Sequence, residues 1–352
     1  MFNPRYTITD RILANIKRIN SLVNDLNNRR FPSIVLVELE KTARAISTYA
    51  STSIEGNPLP LTEVKKILKS RPAHIRDSEK EVLNYNQALQ DLNKLLEQGN
   101  IRLSLGLILK IQRQVTVGLL PKFESGKLRE KQVVVNDPKT RRVLFLPPDA
   151  KDVRSLLENL IEFVNDNRNK IDALILSGIF HKQMVIIHPF MDGNGRATRL
   201  ATKVLLAQMG LNTFNLFSFE NYYNKNVTKY FQTVGEYGNY YELARKIDFT
   251  NWLEYFTQGL AIELSKIKDK IENISVDIHL KKKLGGKPIL LTDRQLKIIE
   301  YIQKTGYLQN KAFDSLFPMV SEDTILNELK GLQKSKILRK VGITKAAKYI
   351  MG

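Results

Sequence analysis

No cysteine occurs anywhere in the 352 residues. That excludes a disulfide framework and any metal site built on thiolates. Long apolar runs free of charge are missing as well. The greasiest stretch, IDALILSGIFHKQMVIIHPF, is interrupted by His181 and Lys182, so it reads as a buried helix rather than a membrane span. The opening MFNPRYTITD lacks the apolar segment of a signal peptide. These absences together lead us to expect a soluble, cytoplasmic protein with no membrane partner. There is no internal repeat and no low-complexity tract.

Acidic side chains are outnumbered, 36 against 55 basic ones, for a net charge of +19. The excess favours an anionic partner, nucleic acid or a phosphorylated ligand, without choosing between them. A general lysine-rich bias gives the same number. With 43% hydrophobic residues there is ample material for a sizeable core. The length suits two or three domains, or one large domain with an appendage.

The pattern is mainly α. Ile12, Ile16, Ile19, Leu22, Val23 and Leu26 recur at helical spacing after Asp10, a candidate N-cap. A second helix runs from Ser33 and stops at Gly56-Asn57, where Pro58 and Pro60 prevent resumption. A third follows Ser78 as cap and closes at Gly99. These make residues 1–100 a helical region. Between 126 and 148 the character changes. Runs at 132–135 and 142–146 are rich in β-formers, with a turn at 136–140, so a hairpin is expected. Alone it would be marginal and must pack on helices. Helices resume at Asp149 and continue to about 275. The run from Ile171 to Ile187 is the expected central helix, and another is expected from Arg196 to Gly210. A basic, glycine-containing stretch at 276–290 reads as a linker.

Between the last two core helices lies HPFMDGNGRATR, residues 188–199. Glycines just before a helix N-terminus leave backbone N–H groups uncovered and convergent, which makes an anion site. Gly193, Asn194 and Gly195 would cradle phosphate oxygens. Arg196 and Arg199, three apart, add guanidinium groups suited to phosphate. Asp192 is a hard oxygen ligand beside that site, the kind that holds Mg2+ together with substrate phosphates. His188 has a side chain suited to act as general base near neutral pH. A base, a magnesium ligand and a phosphate cradle point to nucleotidyl or phosphoryl transfer.

The twelve residues match His-Pro-Phe-x-Asp-Gly-Asn-Gly-Arg-x-x-Arg at all nine specified positions, so the chain resembles the Fic family. The resemblance implies a Fic-type helical core over 101–275, with the hairpin at 132–146 as a flap. It implies transfer of AMP from ATP to a Ser, Thr or Tyr hydroxyl of a target protein. By position, His188 takes the hydroxyl proton and Phe190 anchors the loop. Asp192 holds magnesium, and Gly193, Asn194, Gly195, Arg196 and Arg199 hold the phosphates. The flap aligns the target segment by strand-like pairing. Some members transfer phosphocholine, UMP or a γ-phosphate. The intact glycines and arginines here resemble the AMP-transferring majority.

STSIEGN, 51–57, resembles the family's inhibitory motif, Ser/Thr-x-x-x-Glu-Gly/Asn, as Ser51, Glu55 and Gly56. Its place before the core resembles the class whose inhibitory helix, here about 33–57, lies in the same chain. By that resemblance Glu55 pairs with Arg199 and keeps it from the γ-phosphate, and Ser51 bonds near the loop. In some relatives the same glutamate supports removal of AMP, so a de-AMPylating or dual activity stays open. Asn226 and Tyr230, in an aromatic stretch at 219–234, are candidates for adenine contact, although aromatics at helical spacing are more often core. His181, two turns before His188, is expected in a core or supporting role. Arg129 and the Pro147-Pro148 pair resemble the framing of the flap.

Residues 281–352 hold 15 basic and 6 acidic side chains, a net of +9. Three short helices are expected at 291–306, 308–318 and 321–342, capped at Thr292 or Asp293 and at Ser321, and KAAKYIM reads as a strand. The pattern over 291–352 resembles a small winged helix-turn-helix domain. Its third helix would lie in the major groove of DNA, with Lys330, Lys334 and Lys336 near phosphates. The favoured reading is an autoinhibited adenylyltransferase; self-modification and a homodimer are further expectations. The competing one is a DNA-binding regulator whose core senses nucleotide.

Overall fold

The computed structural model describes the chain apart from residues 1, 29–32, 73, 100, 137–141, 208–217, 284–291 and 343–346. It divides into two units, Met1–Ile267 and Lys268–Gly352.

The first unit opens with α1 (Asp10–Asn28), whose inward stripe Ile12, Ile19, Leu22, Val23 and Leu26 is buried. Its cap is one residue earlier than expected. Thr9 Oγ1 accepts from the Ile12 N–H at 3.3 Å, and Asp10 lies inside the first turn. Next come α2 (Ser33–Ile54), α3 (Leu61–Lys69), α4 (Asp77–Glu97) and α5 (Leu105–Thr116). The expected Ser78 cap of α4 is also corrected. The helix begins at Asp77, and Glu79 reaches back to the Arg76 N–H at 2.9 Å. A carboxylate bonding the orphan donor of the first turn does what a cap hydroxyl would do.

The hairpin is shorter than expected. β1 is Val135–Asn136 and β2 is Val143–Leu146, antiparallel, with Val135 opposite Phe145. The expected turn falls mostly on 137–141, outside the described residues, and 132–134 are not strand. Then follow α6 (Ala150–Asn167), α7 (Ala173–Ile187), α8 (Asn194–Ala207), α9 (Glu220–Lys225), α10 (Val227–Val234), β3 (Gly238–Asn239), α11 (Tyr240–Leu243) and α12 (Thr250–Lys283). β3 pairs parallel with β2, an addition the sequence reading lacked. α8 starts two residues before the expected Arg196, and 208–217, where its end was expected, lie outside the described residues.

The core explains the order. α7 is apolar almost all round, and nearly every residue of it is buried. Such a helix must be wrapped on every side. Tyr85 and Leu89 of α4, Ile108 and Ile111 of α5, Leu157 and Leu160 of α6, and Leu200 and Val204 of α8 share one cluster with Phe180, Met184 and Ile187 of α7. The wrapping fixes the loop after α7 between α5, α8 and the flap.

In the second unit α13 (Asp293–Thr305), a 3-10 turn (Asn310–Ala312), α14 (Phe313–Leu316) and α15 (Glu322–Lys334) precede the antiparallel pair β4 (Leu338–Val341) and β5 (Lys348–Met351). Thr292 caps α13 and Ser321 caps α15, as expected. The expected third helix ends at Lys334, and its tail forms β4. Ile298, Ile302, Leu329, Leu332 and Tyr349 belong to one buried cluster. The expected linker is helical through Lys283, and its remainder lies outside the described residues.

Candidate active site

α7 ends at Ile187, and His188 takes the left-handed conformation, φ 49° and ψ 62°. A non-glycine residue there is uncommon, and Pro189 narrows its choices further. The His188 N–H donates to Met184 O at 3.1 Å, and its carbonyl accepts from Arg129 Nε at 2.8 Å. His188 Nδ1 lies 3.4 Å from Val185 O. A carbonyl can only accept, so Nδ1 carries the proton and Nε2 keeps a lone pair. Burial pushes this imidazole below its usual range. Both features prepare Nε2 to take a proton at neutral pH.

The loop is stapled from inside. Phe190 is 0% exposed, within the core cluster. Asn194 Oδ1 accepts from the Phe190 N–H at 2.9 Å, and Asn194 Nδ2 donates to Phe190 O at 2.8 Å. The side chain of Asn194 therefore holds the loop, which leaves only its backbone N–H for an anion. Gln112 Nε2 donates to Asp192 O at 3.0 Å, and Gln112 Oε1 accepts from the Gly126 N–H. Gly193 has φ 78°, and a Cβ on it would stand 2.7 Å from Thr116 Cγ2. The first-turn N–H groups of α8 have no intrahelical acceptor and open at this point.

The two arginines part company. Arg199 is fully buried. Its Nε donates to Ser51 Oγ at 2.7 Å, and Nη2 donates to Ser51 O at 2.9 Å and Glu55 Oε1 at 2.6 Å. Burial opposes its charge, and the Glu55 carboxylate more than restores it. Its Nη1 is buried with no hydrogen-bond partner among the described residues. Gly195 makes this approach sterically feasible, because a Cβ there would stand 2.1 Å from Glu55 Oε1. Gly56, with φ 94°, turns the chain away just after Glu55.

Arg196 was expected beside Arg199. Instead its guanidinium is buried between Glu81 Oε1, at 2.7 Å, and Asp192 Oδ2, at 2.9 Å. Burial pushes the Glu81 carboxyl up, opposed by Arg196 and Asn57. Asn57 Nδ2 donates to Glu81 Oε2 at 2.7 Å, so Glu81 joins the chain just after α2 to the motif. A second hub lies deeper. Glu220 is buried and accepts from Ser47 Oγ, Tyr85 OH and Ser218 Oγ, each at 2.9 Å, with Lys203 Nζ at 3.1 Å. It fastens α2 to α4, α8 and α9.

Of the two expected adenine contacts, Asn226 serves as a helix cap, and Tyr230 packs in the core with its hydroxyl near Arg199. Asn226 caps α10 through the Lys229 N–H at 3.0 Å. Tyr230 is buried, stacked on Tyr223 at 4.8 Å, with its hydroxyl 3.0 Å from His181 Nε2. His181 is core, its Nδ1 3.0 Å from Thr202 Oγ1, and burial holds it well below its usual range. Glu81, Gln112 and Glu220 were not singled out from sequence. Only Gln112 left a signal, a polar residue inside the buried face of α5.

The groups present fit a nucleotide. Arg199 has a buried N–H without a hydrogen-bond partner, Gly195 leaves a space beside it that Glu55 now fills, and the first turn of α8 supplies donors. Asp192 is half exposed and offers a hard carboxylate. Among the described residues no group of three or more His, Asp or Glu forms a metal cage, so a magnesium ion would rest on Asp192 and substrate oxygens. No helix among them is long and apolar enough to cross a membrane.

Residues 102–206 match the Fic/DOC family. The chain is 30% identical over 227 residues to the protein adenylyltransferase Fic of Aedes aegypti, covering 59% of this chain and 43% of that protein. It is 29% identical over 213 residues to the protein adenylyltransferase fic-1 of Caenorhabditis briggsae, covering 59% and 40%. The match spans less than half the length of these relatives. Among solved structures, a Fic family protein from Desulfovibrio desulfuricans G20 aligns with TM-score 0.63 at 20% identity, over 100% of this chain and 98% of that one. Fic-1 of C. elegans, residues 134–508, aligns at 0.55 and 23%, over 75% and 73%. These two likenesses establish the fold.

Proposed function

Because the chain carries a Fic/DOC-family domain over residues 102–206, we propose that it transfers AMP from ATP to a hydroxyl side chain of a target protein and is held inactive by its own α2. The family relationship and the base-ready geometry of His188 support the chemistry. His188 Nε2 takes the proton of the target Ser, Thr or Tyr. The hydroxyl oxygen forms a bond to the α-phosphorus, the bond from that phosphorus to the bridging oxygen breaks, and pyrophosphate leaves. The first-turn N–H groups of α8, including those of Asn194 and Gly195, orient the phosphates, with Gly193 shaping the turn before them. Arg199 adds its guanidinium to them once Glu55 withdraws. Asp192 would hold magnesium, which supplies charge neutralisation on the phosphates when bound. For Asp192 to do so, Arg196 must shift toward Glu81 or the phosphates.

The observation that carries the inhibited reading is the triple hold of Ser51 and Glu55 on Arg199. A guanidinium so engaged cannot also embrace a γ-phosphate. The test is label transfer from α-³²P-ATP with magnesium and cell lysate, comparing wild type, Glu55→Gly and Glu55→Gly/His188→Ala. Labelling, self-labelling included, should rise in the first variant and vanish in the second. No label in any form would remove this reading and turn attention to AMP removal.

For the second unit we infer a winged-helix module, on the strength of three helical segments followed by the β4–β5 pair. The exposed first turn of α15 is acidic, Glu322 and Asp323. A DNA contact would therefore rest on Lys330, Lys334 and Lys336 at its far end, and a salt-dependent shift of duplex DNA would test it.

A further inference from the structure

Arg129 lies in the irregular stretch between α5 and β1 and is 3% exposed. Among the described residues, every hydrogen bond its guanidinium makes goes to a main-chain carbonyl. Nε donates to His188 O at 2.8 Å, Nη1 to Lys131 O at 3.1 Å, and Nη2 to Pro148 O and, at 3.5 Å, Ile187 O. Its own N–H donates to Pro189 O at 2.9 Å. Lys131 leads into the flap, Pro148 leaves it, and 187–189 are the turn at the candidate base. One rigid, planar fork joins these three stretches, a task that a single ammonium cannot perform.

We propose that Arg129 is a positioning residue for the transfer reaction, fixing the turn at His188 and both ends of the flap as one unit. The proposal rests on the reading of His188 as base. His188 sits in a backbone conformation that side-chain-bearing residues rarely adopt, and such a turn persists only where its surroundings hold it. Two bonds hold the main chain of His188 itself, its N–H donating to Met184 O and its carbonyl accepting from Arg129 Nε. The same guanidinium grips both ends of the hairpin. The base and the strand that would present the target hydroxyl therefore share one reference point. Alignment of that kind is worth a large part of a rate, because small displacements of reacting groups are heavily penalised.

The charge of Arg129 adds a second effect. It forms no ion pair among the described residues; Asp149 attracts it at longer range. A guanidinium stays protonated even so. Glu55 from the end of α2, Asp192 from the loop and the Val185 carbonyl all favour an imidazolium at His188, whereas burial and Arg129 oppose it. Arg129 thus helps keep the base unprotonated.

The test uses the full chain with Glu55→Gly, adding Arg129→Lys or Arg129→Gln. The His188 imidazole is titrated by NMR, its signal assigned by its loss in His188→Gln. Single-turnover AMP transfer is measured alongside. With Arg129→Lys the charge stays and the fork goes. The titration should hold its place, while the transfer rate falls about ten- to hundredfold and KM for ATP stays unchanged. With Arg129→Gln the titration should also move upward. A wild-type transfer rate in Arg129→Lys would overturn the positioning role. An unmoved titration in Arg129→Gln would overturn the role of the charge. If Arg129→Gln fails to fold, Arg129→Lys still decides the positioning. If no AMP transfer occurs even with Arg129 intact, the proposed function fails. Hydrogen exchange at the β2 amides then tests the clamp by itself: faster exchange in Arg129→Lys supports it, unchanged exchange overturns it.

Discussion

Replacing Glu55 with glycine should raise productive ATP binding by an amount the geometry sets. The substitution removes one charge-assisted hydrogen bond, 2.6 Å long, to a buried guanidinium. Such bonds contribute about 1.5–3 kcal/mol, and about 1.4 kcal/mol corresponds to a factor of ten. The Glu55 side chain is 28% exposed, so part of its charge is screened and the lower half of that range applies. We expect about a tenfold gain in affinity for magnesium-ATP by calorimetry, since the two bonds to Ser51 remain. The same change strips a buried cation of its counter-charge. The nucleotide-free variant should therefore melt earlier than wild type, and ATP should raise its melting point more than it raises wild type's. Glu55→Gln, with a neutral acceptor, should fall between. Equal ATP affinity in wild type and Glu55→Gly, with equal melting shifts, would refute the competition between carboxylate and phosphate.

Three further outcomes follow from other parts of the site. Gly195→Ala would place a methyl on Glu55 Oε1; it should destabilise wild type more than the Glu55→Gly variant, measured as a double-mutant cycle in urea. Glu220→Gln leaves Lys203 buried without its carboxylate and should cost about 3–5 kcal/mol in chemical denaturation, whereas losing only the bond from Ser47, in Ser47→Ala, should cost about 1 kcal/mol. His181 and His188 both have folded values held below the usual imidazole range by burial. Below about pH 6.5 the unfolded chain binds protons that the folded chain refuses, so stability present above that pH should fall as pH drops toward 5, and the fall should shrink in His181→Asn.

What sequence revealed was local. The loop 188–199 gathers its functional groups from residues a few positions apart, so the histidine, the glycine turn and the carboxylate were legible together. α7 announced itself by an apolar run that only a wrapped helix can carry. The Glu55–Arg199 pair spans 144 positions, and only a family pattern connected its ends. Arg129, Glu81 and Glu220 act on partners brought close by folding, and a lone polar residue gives no sign of its distant acceptor. The ion pair of Arg196 with Glu81 was hidden for the same reason, since that proximity is a tertiary fact. Tyr230 stood out by its aromatic neighbourhood, which packs around His181 and Trp252. The caps at Thr9 and Arg76 lie one and two residues before the expected ones, because several polar residues compete at each helix start.

The central claim is that this chain moves AMP, with His188 as base and Glu55 as restraint. The most direct measurement is paired labelling of the Glu55→Gly chain with α-³²P-ATP and, separately, γ-³²P-ATP, each with and without His188→Ala. The account predicts incorporation of the α label alone, abolished by the histidine change. Incorporation of the γ label, or α labelling that survives His188→Ala, would contradict it.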